Sequence, residues 1–225
     1  MCLGRLRRQK PKPVQQVPED VLEERLNSKY PKATIVYDGR FLPNIGQLTV
    51  DVRGFFASPY DFQVSEIIQN FKGLVDDDLA LECLKWVIKN IMYVSDKTEY
   101  GLEEFWCYPN EILTTKKGDC DDGAILLANL LVAAGVPYWK VRLTAGSVAE
   151  GGHCYVNYYV ASRDVWVALD WCYHRSTEPV SERPDYKNES LYGEVWFSWN
   201  VKYAFSAGVK ASSLKRELLK KVRLV

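Results

Sequence analysis

"KKGDCDDGAILLANLLVAAGVP", residues 116–137, is the stretch on which the fold of this chain turns. Ala124, Ile125, Leu126, Leu127, Ala128, Leu130, Leu131 and Val132 leave almost no polar face, so the segment predicts a helix buried on nearly every side. Gly135 stops it and Pro137 lies beyond. At its first turn stands Cys120, between Asp119 and the pair Asp121 and Asp122. A structural cysteine belongs in mid-helix on an apolar face. In a first turn the backbone N–H groups have no intrahelical acceptor, and a thiolate is stabilised there. Cys120 is therefore a candidate nucleophile. The flanking acids favour the helix dipole but raise a neighbouring thiol's pKa by like-charge repulsion, which Lys116 and Lys117 are placed to offset in part.

Upstream, Asp76, Asp77 and Asp78 open a stretch with Ala80, Leu84, Val87, Ile88 and Ile91 at helical spacing, predicting an amphipathic helix that ends near Tyr93. Pro109 suits the first turn of a second, short helix. Residues 21–30 predict a further short helix and residues 47–52 a half-buried strand. Downstream of Gly135 the period changes to two. "YWKVRLTAG" (138–146), "HCYVNYYV" (153–160) and "VWVALDW" (165–171) predict three antiparallel strands, the last two joined by a tight turn at residues 161–164. The aromatic stretch at residues 192–205 supplies a further strand or a cleft wall. The fold class expected is α+β, a central buried helix carrying Cys120 packed on an antiparallel sheet.

The hairpin can be read in register. A turn of two or four residues pairs Val160 with Val165, and by continuation Tyr155 with Asp170 and His153 with Cys172. Paired residues point to one side of a sheet and alternate residues share it, so His153 and Asp170 become diagonal neighbours roughly 7–8 Å apart, near enough for their side chains to meet. The other face carries Cys154, Val156, Tyr158 and Val160 against Val165, Val167, Leu169 and Trp171, and is the more apolar. Asp170, ending an apolar strand, needs a partner. A thiol at a helix start beside an imidazole and a carboxylate makes the parts of a cysteine-nucleophile site, in which the imidazole takes the thiol proton and the carboxylate fixes its tautomer.

The residues from about Asp76 to Tyr173 resemble the transglutaminase-like superfamily, and most closely the bacterial transglutaminase-like cysteine proteinases. The resemblance rests on "WVIKNIMYVSD", "FWCYPNEIL" with Trp106, Pro109 and Glu111, "GDCDDGAILLANLLVAAGVP", "GGHCYV" and "WVALDW". It implies a papain-like fold with a catalytic triad of Cys120, His153 and Asp170. It further implies attack on an amide bond (peptide, isopeptide or glutamine side chain) through an acyl-enzyme, hydrolysis being favoured over amine transfer. Papain carries a glutamine shortly before its nucleophile that helps bind the oxyanion, and "ILTTKKGD" has none. Trp106, Asn110, Asp119 and Trp171 are the candidates for the oxyanion site and the substrate cleft. The rival reading is a transglutaminase-like binding or structural module that keeps the fold without the chemistry, within a larger assembly.

Composition narrows the remaining classes. The 225 residues are 47% hydrophobic and 26% charged, as one soluble domain requires, and 29 basic residues balance 29 acidic ones. No global field draws the chain to nucleic acid or anionic lipid. Three segments are expected: a flexible basic arm over residues 1–17 with Arg5, Arg7, Arg8, Lys10 and Lys12, a single transglutaminase-like catalytic domain over 18–205, and a basic C-terminal helix over 206–225. The arm is a possible dock for an assembly partner, while the site itself expects a protein or peptide substrate. With no apolar run after the basic residues and no span of about 20 apolar residues, the expected location is cytoplasmic, with the six cysteines reduced. Cys120, His153 and Cys172 lack the CxxC or HxxxH spacing of a zinc site, and neither metal nor other cofactor is expected.

Overall fold

The computed structural model describes residues 18–42, 44–56, 62–149, 151–206 and 221–224. Six helices are described: α1 (Glu19–Ser28), α2 (Phe62–Ile68), α3 (Asp76–Asn90), α4 (Asp96–Glu99), α5 (Pro109–Thr115) and α6 (Cys120–Ala133). The described strands are β1 (Lys32–Ala33), β2 (Ile35–Leu42), β3 (Gly46–Asp51), β4 (Met92–Tyr93), β5 (Lys117–Gly118), β6 (Val141–Val148), β7 (Gly151–Val160), β8 (Val165–Leu169), β9 (Tyr192–Trp199), β10 (Ala204–Ser206) and β11 (Val222–Leu224).

With no polar face to offer water, α6 is buried from Asp121 to Leu131 and occupies the centre of the molecule. It packs on β6 and β7 on one side and on α2, α3 and α5 on the other. The polar residue in its buried middle, Asn129, donates to the carbonyls of Ile125 and Phe55 at 2.8 and 3.1 Å, satisfying its amide without water. The sheet runs β1-β10-β9-β6-β7-β8 with every described neighbour antiparallel. Along β7, alternate residues serve two layers. Cys154, Val156, Tyr158 and Val160 join the main core with α6, whereas Tyr155 and Tyr159 enter aromatic clusters on the opposite face, beside Tyr192 and under Leu22 and Leu26 of α1. A strand covered on both faces reads as the near-continuous apolar and aromatic run seen in "HCYVNYYV".

The hairpin register is the one expected: a four-residue turn over 161–164 pairs Val160 with Val165 and Val156 with Leu169. Two features differ from the sequence reading. A second sheet, β11-β2-β3, includes residues 35–42, for which no element was expected. The basic C-terminal helix over 206–225 is also corrected at its ends. Ser206 closes β10 and Val222–Leu224 forms β11 against β2, because Val222 becomes buried there and Arg223 reaches Asp38 at 2.5 Å. Residues 207–220 and the basic arm at 1–17 lie outside the described residues. Among the described residues no helix is long and apolar enough to cross a membrane. The five described cysteines are all free thiols, as expected.

Candidate active site

The start of α6 is fixed from three directions. From within, the Asp122 carboxylate accepts the Asp119 N–H at 3.3 Å and the Cys107 N–H at 2.8 Å, tying the helix to the segment before α5. From one side, β4 and β5 pair in parallel and hold residues 117–118 in place. From the sheet, the Trp171 indole N–H donates to the Cys120 carbonyl at 3.1 Å. That contact needs Gly123, since a Cβ there would lie 2.1 Å from Trp171 Cε2. Cys120 is thus held as the first residue of α6, partly exposed.

Cys120 and His153 line one cleft of about 450 Å³, with Tyr93, Val148, Cys172, Tyr173 and Arg175 around them. His153 is buried, and its Nε2 lies 2.7 Å from Asp170 Oδ2. With Nε2 committed to Asp170, Nδ1 is the nitrogen left to exchange a proton within the cleft. Rings of Tyr155 and Tyr173, at 5.8 and 5.4 Å, hold the imidazole between them. Asp170, 1% exposed, accepts four hydrogen bonds: His153 and the Tyr192 hydroxyl (3.0 Å) on Oδ2, and the Cys172 and Tyr173 N–H groups (3.0 and 3.1 Å) on Oδ1. Burial pushes this carboxyl up, but the His153 bond and the two backbone donors outweigh it and hold Asp170 below the ordinary carboxylate range.

The Cys120 thiol is pushed well up, first by burial and then by Asp119. Neither lysine expected to offset this is among the main influences on the thiol, and each has a partner elsewhere. Lys117 pairs with Glu99 at 3.0 Å and Lys116 sits over the Trp86 ring at 5.4 Å. The acids form a larger group than the sequence suggested. Asp96, Asp119 and Asp122 can bring oxygens within 4.8 Å of one another, as can Asp119 and Asp121 with the Cys120 sulfur. Burial raises all of them together with Glu104, and repulsion by neighbouring acids adds to it for Asp96, Glu104, Asp121 and Asp122, bringing Asp96 to about 8 and Glu104 to about 7. Both Asp121 oxygens and one oxygen each of Asp96 and Asp119 are buried with no N–H or hydroxyl donor upon them, and Asp121 meets the Asp119 and Glu104 carboxyls directly.

The other sequence candidates are distributed unevenly. Asp119 is at the mouth of α6, and Trp171 lies beneath Cys120. Trp106 is fully buried, stacked between Tyr37 and Trp199 at 4.8 and 5.4 Å, with its N–H given to Glu104 at 2.6 Å, so it has no donor for an oxyanion. Asn110 is exposed on α5 and does not line the cleft. Sequence reasoning missed Tyr192, Glu104 and the cleft residues Tyr93, Tyr173 and Arg175. For Tyr192 the available signal was its place at the head of the aromatic stretch read as strand or cleft wall.

Residues 62–175 match the family model described as a transglutaminase-like domain. No curated protein matches the chain. Among solved structures, Legionella pneumophila LapG is similar with a TM-score of 0.50 and 23% identity, over 67% of this chain and 79% of that one. The calcium-bound form of LapG gives a TM-score of 0.50 and 20% identity over 75% of this chain and 94% of that one. At these identities the likeness is one of fold.

Proposed function

We propose, because the chain belongs to the transglutaminase-like domain family, that it is a cysteine-nucleophile enzyme that opens a peptide or isopeptide amide through an acyl-enzyme on Cys120. The observation that carries this reading is the opening of Cys120 and of the His153–Asp170 pair into one cleft. His153 Nδ1 takes the Cys120 proton, and the thiolate attacks the carbonyl carbon. The C–N bond breaks as the leaving amine receives that proton from His153. Water, deprotonated by the same imidazole, then cleaves the thioester and restores the thiol. Asp170 stays ionised throughout, with four donors upon it, and stabilises the imidazolium. The Cys120 N–H, at a helix start without an intrahelical acceptor, is one oxyanion donor. The raised thiol pKa means that Cys120 rests protonated, so it is activated within the complex with His153 and substrate.

Incubation with p-nitrophenyl acetate tests the reading. An acetyl adduct is expected on Cys120 in the wild type, absent from Cys120→Ala and formed at least about 100-fold more slowly in His153→Ala. Equal turnover in Cys120→Ala would overturn it and favour the binding-module alternative. Added methylamine distinguishes the acceptor: unchanged deacylation means water, accelerated deacylation means amine transfer.

A second reading is favoured by the buried oxygens of Asp121, Asp119 and Asp96 that meet no N–H or hydroxyl donor. Five carboxyls gather behind Cys120, and Lys221 faces two of them, Asp96 and Glu104. The calcium-bound LapG structure names a hard divalent cation, and such a cation takes carboxylate oxygens of this kind. Asp119 and Asp121, with Glu104 beside them, are the residues that would hold it. When bound it would supply positive charge beside Cys120. Isothermal titration with Ca²⁺ on chelator-stripped protein should give one saturable site that Asp121→Asn removes; identical titrations for the two proteins count against it.

A further inference from the structure

The sheet face turned away from α6 buries two guanidinium groups, and they are treated differently. Arg183 donates to the carbonyls of Ala168, Ser176 and Glu178 at 2.6–3.3 Å, which satisfies its fork. Arg142, 4% exposed, has a single hydrogen-bond acceptor among the described residues, the Leu26 carbonyl, and its Nε is buried with none. Among the described residues no carboxylate pairs with it. Aromatic rings surround it instead: Phe205 at 4.2 Å, Trp166 at 5.0 Å and Tyr30 at 5.5 Å. Such rings offset part of the desolvation of a cation but supply no countercharge.

Arg142 lines a cavity of about 50 Å³ with Thr144, Asn157, Ser198, Tyr30 and Tyr186. That volume exceeds what one water needs and suits a head group of a few oxygens. Asn157 stands directly opposite Arg142 in the β6–β7 register and gives its amide N–H to Thr144 at 3.0 Å, and its own Oδ1 is buried without a partner. The side chains at the base are buried, whereas Tyr30 and Tyr186 are partly exposed and form the rim. Two further cations stand outside that rim: Lys29 Nζ lies over the Tyr30 ring at 5.9 Å, and Lys187 follows Tyr186 in the chain. Burial, then Lys187 and then Arg142, lowers the Lys29 ammonium pKa, and Asp185 is the acid that opposes them. Burial lowers Arg142 itself to about 10. Three positive side chains at and above one small polar cavity, with Asp185 and Asp164 the acids that reach Lys29 among the described residues, leave Arg142 at the base as a positively charged recess.

We propose that this cavity is a binding site for a small oxyanion, a carboxylate or phosphate group that parts the Tyr30–Tyr186 hydroxyl contact at the rim, is met by Lys29 and Lys187, and is held at the base by Arg142. The site lies outside the Cys120 cleft and shares none of its lining residues. A planar guanidinium presents a fork matched to either anion, and Thr144 and Ser198 add hydroxyl donors beside it.

Thermal melting of the full chain tests this, with inorganic phosphate or sodium acetate titrated at ionic strength held constant by chloride. The melting temperature should rise by about 3–5 °C for each tenfold increase in anion above its dissociation constant. A response to phosphate alone assigns a phosphate group, and a response to acetate alone assigns a carboxylate. Asn157→Asp places a carboxylate opposite Arg142, so it should melt higher than the wild type without anion and lose the response. Lys29→Ala with Lys187→Ala changes only exposed side chains and should shift the midpoint to about tenfold higher anion, as loss of rim charge does. The proposal is overturned if neither anion raises the melting temperature beyond chloride, or if the rise persists undiminished in Asn157→Asp.

Discussion

Asp170 shows how a carboxylate can be fully buried and still ionised. Four donors meet its two oxygens, which offsets a desolvation that would otherwise keep it protonated. Its folded pKa lies below the ordinary value of about 4, so the unfolded chain binds the proton more readily than the folded one. The stabilisation is therefore complete above about pH 4 and is lost as pH falls through the folded value. Urea unfolding of the wild type and Asp170→Asn should differ by about 2–3 kcal/mol at pH 6–7, and the difference should shrink as pH falls below about 4; a difference independent of pH would refute this account. Tyr192→Phe removes one of the four donors and should cost about 1.5–3 kcal/mol by the same measurement, as loss of a hydrogen bond to a charged acceptor does. The meeting of His153 with Asp170 was legible because both lie on one hairpin, where a period of two and an even turn fix the face of each residue. Tyr192 was not, because β9 reaches this place through a sheet order, β9-β6-β7-β8, that departs from chain order.

At the scale of the element, α6 was legible from its composition and caps alone, and what holds its first turn was not. Trp106, Pro109 and Glu111 carry the family pattern ahead of Cys120, and each has a structural task. Trp106 stacks in the core, Pro109 opens α5, and Glu111 caps the Tyr108 N–H at 2.7 Å while pairing both oxygens with Arg40 at 2.7 and 2.9 Å. Arg40 is buried and lies on β2, a strand the sequence reading missed because its Asp38, Gly39 and Arg40 break the apolar alternation. The docking of α6 on Trp171 makes a sharper prediction. Gly123→Ala puts a methyl group into the indole ring and should destabilise the chain by about 1–3 kcal/mol, the range for overpacking a filled core. It should also slow acetylation of Cys120, since the same ring holds the Cys120 carbonyl. In Trp171→Leu the added methyl has room, so the two substitutions together should cost less than their sum; strict additivity in chemical denaturation would argue that the contact is not the constraint.

Over the whole molecule, the balance of 29 basic and 29 acidic residues conceals two local fields of opposite sign. Arg142, Lys29 and Lys187 gather on one face of the sheet, and Asp96, Glu104, Asp119, Asp121 and Asp122 gather behind Cys120. The sequence could show that the total was zero and that three acids flank the thiol, but it could not show Asp96 and Glu104 folding in beside them across intervening loops. The acidic field sets how stability depends on pH. Asp96 at about 8 and Glu104 at about 7 lie above their unfolded values near 4, so the folded chain keeps protons that the unfolded chain releases. Stability without a divalent cation should consequently fall as pH rises from about 4 to 8. A divalent cation held there, as the second reading proposes, would replace those protons and compete with protonation of the same oxygens. Ca²⁺ at 100 times its dissociation constant should therefore add about 2.7 kcal/mol at pH 8, and this increment should shrink towards zero by pH 5. Asp121→Asn, which removes one charge from the cluster, should melt higher than the wild type in chelator at pH 8 and gain nothing from Ca²⁺. A wild-type melting temperature that ignores both Ca²⁺ and chelator across this range would leave protons as the only countercharge, and the fall in stability with pH would then persist at every calcium concentration.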